Sequence, residues 1–122
     1  MYLIDTNIII YHLANMPQAV YFLDNHRNQL AISTITVAEV LSFPMNDETL
    51  ATMHRFLEDN FTWLDVSRDI VLKTAEIRRQ KKTKTPDALI AATALQHGLI
   101  LVSRNEKDFK HLPLKLINPM GN

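Results

Sequence analysis

The sequence predicts an α/β fold with a mostly parallel sheet of about five strands flanked by helices. Three observations predict it. Short apolar segments rich in β-branched and aromatic residues alternate with longer stretches of helical spacing. Many of the helical stretches carry recognisable start or stop residues. The 122 residues, 47% of them hydrophobic, supply one core and leave no room for a second.

The elements follow in order. Tyr2–Asp5 reads as a short buried strand, and an apolar helix runs from about Asn7 to Ala14. Pro17 stands where a first-turn proline belongs, so a second helix extends to about Asn25. Leu30–Ser33 is strand-like, and Thr36–Phe43 is helical until Pro44 stops it. Glu48–Asp59 has helical spacing through Leu50, Met53 and Leu57. Phe61–Val66 is a third strand, with Trp63 and its neighbours in the core. Ser67 reads as the N-cap of a long helix that passes through Ile70, Ala75 and Ile77 into a basic stretch. Thr85-Pro86 caps and starts the next helix, which Gly98 ends. Leu99–Val102 is the fourth strand, and Leu114–Ile117 the fifth.

Composition excludes several chemistries. There is no cysteine, which removes disulfides, thiolate zinc sites and a cysteine nucleophile together. Two glycines leave nothing for a phosphate-cradling Gly-rich loop, and the GxSxG turn of serine hydrolases is absent. The five histidines form no HxH or HExxH pattern and read as surface or helix-end residues. Neither a signal peptide nor a membrane-spanning stretch is present, so a cytoplasmic protein is expected. Thirteen Lys+Arg balance thirteen Asp+Glu, so any nucleic-acid contact must come from a local patch rather than a general basic coat. One such patch exists, at Arg78, Arg79, Lys81, Lys82 and Lys84. Its plainer role is a solvated helix end whose cations suit the dipole.

The carboxylates carry the chemistry. Asp5 stands between the apolar runs Tyr2-Leu3-Ile4 and Ile8-Ile9-Ile10. A charge at that depth is costly unless paired, hydrated or bound to a metal; the plainer reading is a helix cap, worth about 1 kcal/mol. Glu39 matches a capping box, Thr36-x-x-Glu39, yet also falls at the start of a helix just after the second strand. Asp87 opens a helix that is apolar nearly all round, where the dipole alone would contribute about 0.3–1 kcal/mol. Asn105, Glu106 and Asp108 follow the fourth strand. Ligands of open parallel sheets bind at the carboxyl ends of the strands, where these acids could converge. Gathered carboxylates repel one another, so convergence implies a cation. All-oxygen ligands suit Mg²⁺ or Mn²⁺ and metal-assisted phosphodiester chemistry.

The stretches LIDTN, ITVAEV and TPDALIAATALQHGLILVSRNEKDF, in this order and spacing, resemble the PIN-domain family. The likeness is to the VapC-type toxin ribonucleases of bacterial toxin–antitoxin pairs, and it spans nearly the whole chain. The resemblance implies a single Rossmann-like PIN domain over residues 1–122, a homodimer, and Mg²⁺- or Mn²⁺-dependent cleavage of RNA to a 5′-phosphate and a 3′-hydroxyl. A small antitoxin protein is the implied partner. Asp5, Glu39 and Asp87 match the family's first three metal-site acids. Many relatives place the fourth acid two residues after a Thr or Ser, where this chain has Ser103-Arg104-Asn105. Asp108, in a NxxDF form, is therefore the expected fourth acid, with Asn105 as a neutral ligand or water holder. Thr6 and Ser103 resemble the family's site hydroxyls. Arg104, Arg78, Arg79, Lys82 and Lys84 are the candidates for flanking phosphates.

Three other readings remain open on the sequence. A DxD-type phosphatase or receiver-like phosphoacceptor also uses an aspartate ending the first strand, but Asn7 stands where its second acid is needed. The same fold serves RNA-processing nucleases unconnected with toxins. A catalytically weak RNA- or partner-binding dimer is the non-enzymatic reading.

Overall fold

The computed structural model describes residues 1–121. A five-stranded parallel sheet has the order β3-β2-β1-β4-β5, with β1 at Tyr2–Ile4, β2 at Leu30–Ser33, β3 at Thr62–Leu64, β4 at Ile100–Val102 and β5 at Leu116–Ile117. The helices between them are α1 (Thr6–Leu13), α2 (Pro17–Asn25), α3 (Thr34–Leu41), α4 (Asp47–Asn60), α5 (Arg68–Gln80), α6 (Thr85–His97) and α7 (Glu106–Phe109). The chain moves outward one way from β1 through β2 to β3. It then returns to β1's other side with β4. The sheet therefore changes direction between β1 and β4, and a crevice opens at the carboxyl ends of those two strands.

Side chains of a strand alternate between faces, and here both faces are covered. Ile4, Ile32 and Val102 join Ile8, Ile9, Phe22, Val40 and Leu57 in one core. Their neighbours Leu3, Ala31 and Leu101 join Ile70, Ile77, Ile90 and Phe109 in the other. Each of the larger aliphatic side chains is removed from water at a gain of about 1.5–3 kcal/mol. Buried strands of this kind read as continuous apolar runs, which is why β1, β2 and β4 are visible in the sequence.

Element boundaries are where sequence and structure part: β3 spans Thr62–Leu64 rather than Phe61–Val66, and β5 Leu116–Ile117 rather than Leu114–Ile117. The apolar helix after β1 begins at Thr6, with Asp5 as its N-cap. α3 begins at Thr34, two residues before the expected start, because Ser33 is the N-cap and its Oγ accepts from the Ile35 amide at 3.1 Å. The capping box of Thr36 and Glu39 is thus not formed; Thr36 is already inside the helix. α3 also ends at Leu41, ahead of Phe43 and Pro44. Ser67 caps α5 as expected, accepting from Ile70 at 3.3 Å, though α5 buries Thr74 rather than Ala75. Thr85 starts α6 without capping it: Lys84 holds the cap position and makes no side-chain bond there. Gly98 ends α6 with φ of 64°, in the left-handed region that glycine enters at no steric cost. α7 is a single turn after β4 that carries Glu106 and Asp108.

Candidate active site

The site is built where β1 and β4 end. Asp5, only 6% exposed, follows β1, and fully buried Ser103 follows β4. Ser103 Oγ donates to Asp5 Oδ2 at 2.7 Å, and the Thr6 amide donates to Asp5 Oδ1 at 2.8 Å. Asn7 completes the frame, with Nδ2 3.5 Å from Asp5 Oδ2 and 3.4 Å from Ser103 Oγ. The Asn105 amide also donates to Ser103 Oγ, at 2.9 Å. The serine hydroxyl is thereby left with its proton for Asp5.

Glu39 enters from α3. The Thr6 hydroxyl donates to Glu39 Oε1 at 2.6 Å and lies 3.0 Å from the Thr36 hydroxyl. A residue that would have closed the helix start on itself instead faces α1. Asp87 enters from the first turn of α6, and Asp108 from α7, where Asn105 Nδ2 donates to Asp108 Oδ2.

Electrostatics ties the four acids together. Burial pushes the Asp5 carboxyl up to about 6; the bonds from Ser103 and Thr6 oppose that rise, and the charges of Asp87 and Glu39 add to it. Asp87 is raised as well, by burial first and by Asp108 and Glu39, with Lys84 pulling it down. Among the described residues none of these acids is in an ion pair. A buried carboxylate without a cation beside other carboxylates is an arrangement that a bound cation would relieve. The donor set is all oxygen, as hard divalent ions require. Among the described residues no three Asp, Glu or His side chains already form a closed ligand cage. Mg²⁺ does not need one, since it is commonly held by one or two carboxylates and keeps several waters. The residues fit such an ion.

The basic candidates divide. Arg104 is exposed beside the acids, its guanidinium 5.4 Å from the centre of the Tyr11 ring, a cation–π distance. A hollow of about 430 Å³ is lined by Arg78, Lys82 and Lys84 together with Lys107, Asp87 and Asp108. Arg78 also shapes that hollow, since its Nε donates to the Thr83 carbonyl at 3.0 Å. Arg79 lines a different hollow, with Asp69, Leu72 and Gln96.

Sequence reasoning passed over Asn7, Thr36 and Tyr11 as site residues. Asn7 and Thr36 each had a signal, being polar residues inside apolar helix starts. Of the histidines read as surface or helix-end residues, His12 does stand in the last turn of α1, whereas His111 departs from that reading. His12 is half-buried and stacks on Phe56 at 5.1 Å, and burial lowers its pKa against the opposing charge of Asp24. His111 lies against the hollow of Asp87 and Asp108, and both its ring nitrogens are buried without a hydrogen-bond partner.

Comparison with known proteins agrees with this geometry. The PIN domain profile matches residues 2–115. Ribonuclease VapC2 of Haemophilus influenzae is 32% identical over 121 residues, covering 91% of each chain. The tRNA(fMet)-specific endonuclease VapC of Shigella flexneri is 29% identical over 121 residues, again with 91% of each covered. Among solved structures, a toxin–antitoxin complex from Klebsiella pneumoniae superposes with a TM-score of 0.85 at 34% identity, covering 98% of both chains. VapBC2 from Rickettsia felis, bound to a DNA fragment from its promoter, gives 0.81 at 26% identity, covering 96% of this chain and 97% of that one. With its two-sided parallel sheet and the carboxylates at the strand ends, the chain belongs to the PIN-domain family.

Proposed function

We propose that this protein is an endoribonuclease of the VapC type, dependent on Mg²⁺ or Mn²⁺, and the toxin of a toxin–antitoxin pair. One observation carries the reading. Asp5 is a buried carboxylate without a cation, and the charges of Asp87 and Glu39 make its ionisation harder still. The family membership and the ribonuclease names of the relatives support the same activity.

In this mechanism Asp5, Glu39, Asp87 and Asp108 would hold a hydrated divalent ion. When bound, the ion supplies charge for a scissile phosphate and lowers the pKa of a coordinated water. Ser103 and the Thr6 amide fix the two oxygens of Asp5, so that its lone pairs point one way. Thr6 holds Glu39 in the same manner. Glu39 or Asp87 takes a proton from the attacking water as its oxygen bonds to phosphorus; the P–O3′ bond breaks and the departing 3′-oxygen takes a proton from solvent, leaving a 5′-phosphate and a 3′-hydroxyl. Arg104 and the cations of the α5–α6 turn offset the charge of the incoming strand. The decisive experiment incubates the pure protein with RNA and Mg²⁺ or Mn²⁺, with and without EDTA. Metal-dependent cleavage is expected; cleavage undiminished by excess chelator would overturn the mechanism.

The partner follows from the toxin reading and from relatives solved as toxin–antitoxin complexes. A small antitoxin covers the acids with a cationic side chain, which neutralises carboxylates as a metal does. Expression of this chain alone then arrests growth, and co-expression of the neighbouring gene relieves it. Unaffected growth with an active enzyme would instead favour an RNA-processing nuclease. A homodimer is part of the proposal, and sedimentation of the pure protein tests it. No described helix is long and apolar enough to cross a membrane.

A further inference from the structure

We infer that His111 is a substrate-binding residue: with the cations of the same hollow it holds the nucleotide flanking the cleaved phosphate, and it recognises that nucleotide as RNA. The inference rests on the nuclease reading for its register and on separate observations for its residues.

Buried polar atoms nearly always find partners, and those that do not call for an explanation. A neutral imidazole offers one donor and one acceptor. In His111 neither is used, although both ring nitrogens are shielded from water. The residue lines the hollow that contains Asp87 and Asp108, so its unused capacity lies beside the metal-site acids. Lys84, Lys82 and Lys107 line the same hollow, and none is in an ion pair among the described residues. Those cations suit a phosphate but offer donors only. The ribose 2′-hydroxyl, by contrast, both donates and accepts, and it is the group by which a protein tells RNA from DNA. Of the hollow's groups that both donate and accept, the Thr83 hydroxyl already donates to the Lys81 carbonyl, and the His111 ring is unengaged.

The hollow is also fixed before a strand arrives. Arg78 Nε holds the Thr83 carbonyl, and the Thr83 hydroxyl holds the Lys81 carbonyl, both at 3.0 Å. These bonds brace the α5–α6 turn; because the His111 ring nitrogens are shielded from water, binding requires the ring to turn so that its polar edge meets the ribose.

The test measures binding of a short labelled single-stranded RNA, and of the same sequence as DNA, by fluorescence anisotropy in EDTA at low salt. The proteins are the parent, His111→Ala and His111→Gln. His111→Ala is expected to lose about 3–10-fold in RNA affinity, one hydrogen bond's worth, with DNA affinity unchanged. His111→Gln, which keeps a donor and an acceptor, retains most of the preference for RNA. Thermal melts of the three proteins separate a binding role from a structural one. An RNA affinity of His111→Ala equal to the parent's overturns the inference. So does an equal loss for RNA and DNA accompanied by a lowered melting temperature. Because no metal is present, the outcome is independent of cleavage. A parent that binds RNA through His111 yet fails to cut it with Mn²⁺ would overturn the nuclease reading alone.

Discussion

Ser103 donates its hydroxyl proton to Asp5 at 2.7 Å, joining the ends of β4 and β1 across 98 residues of sequence. The bond holds Oδ2 in place and opposes the rise in pKa that burial imposes. Ser103→Ala should therefore lower stability at pH 8 by about 1.5–3 kcal/mol, the worth of a hydrogen bond to a charged group. Metal-dependent cleavage should fall with it. Urea titrations at pH 8 check the first effect; an unchanged midpoint would mean that the bond contributes nothing in solution.

Asp5→Asn and Asp87→Asn should each abolish RNA cleavage while leaving the protein folded. Neither change removes volume, and each takes one negative charge from a crowded cluster. Circular dichroism and a labelled RNA substrate, measured side by side, decide this. A folded Asp87→Asn protein with parental activity would make Asp87 a helix-start residue and nothing more.

The fourth ligand position separates two neighbours. Asn105 Nδ2 donates to Asp108; on the proposed function Asp108 supplies the charge and Asn105 positions it. Asp108→Asn should reduce the cleavage rate at saturating metal more than Asn105→Ala does. The reverse ranking would move the ligand to Asn105.

The pH dependence of stability has a defined sign. The Asp5 carboxyl is raised from 3.8 to about 6 on folding, so between those values the folded state binds the extra proton. Metal-free stability contributed by this group is greatest below 3.8 and is lost as pH rises through about 6. The full loss is on the order of 3 kcal/mol. Asp5→Asn should escape it, so its stability advantage over the parent in EDTA should grow from pH 4 to pH 7. Denaturant midpoints at those two pH values test this, and parallel curves would show that Asp5 is already relieved by solvent.

Metal should stabilise the native state by an amount that grows with the logarithm of its concentration above the dissociation constant. At about 100 times the dissociation constant the gain is roughly 2.7 kcal/mol. Asp87→Asn should melt no lower than the parent in EDTA, because a repulsion with Asp108 and Glu39 has gone. Its response to a Mn²⁺ series should shrink. A destabilised variant with a full metal response would assign Asp87 to the helix dipole instead.

How far the sequence could be read depended on the range of the forces involved. β2 and α2 lie where expected because a buried strand and a first-turn proline are local signals. The start of α3 was missed because Thr34, Ile35, Thr36 and Val37 are β-branched and favour a strand in isolation. The tertiary bond from Thr6 to Glu39 then recruits a residue that a local capping box would have used. Asp5 was legible as a charge between apolar runs, and its partner Ser103 only by family likeness. Nothing local marks a serine that bonds an acid on another strand. His111 gave no signal either, since its isolation is a property of packing around it.

The neighbourhood of β1 and β4 has a consequence for how the protein is made. β1 is the first strand to leave the ribosome and β4 the fourth, so they pair only after most of the chain has been synthesised. Asp5 emerges early but has no Ser103 to orient it and no Asp87 beside it. A nascent chain is therefore harmless to the messenger and ribosome that produce it, and becomes a nuclease only near release. Pairing between such distant segments is also slow to form, since loop closure precedes its reward. The delay gives an inhibitory partner of the kind proposed time to be present when the site closes. Chains stalled before Ser103 should fail to cut RNA in a translation extract, whereas released full-length chains should cut it.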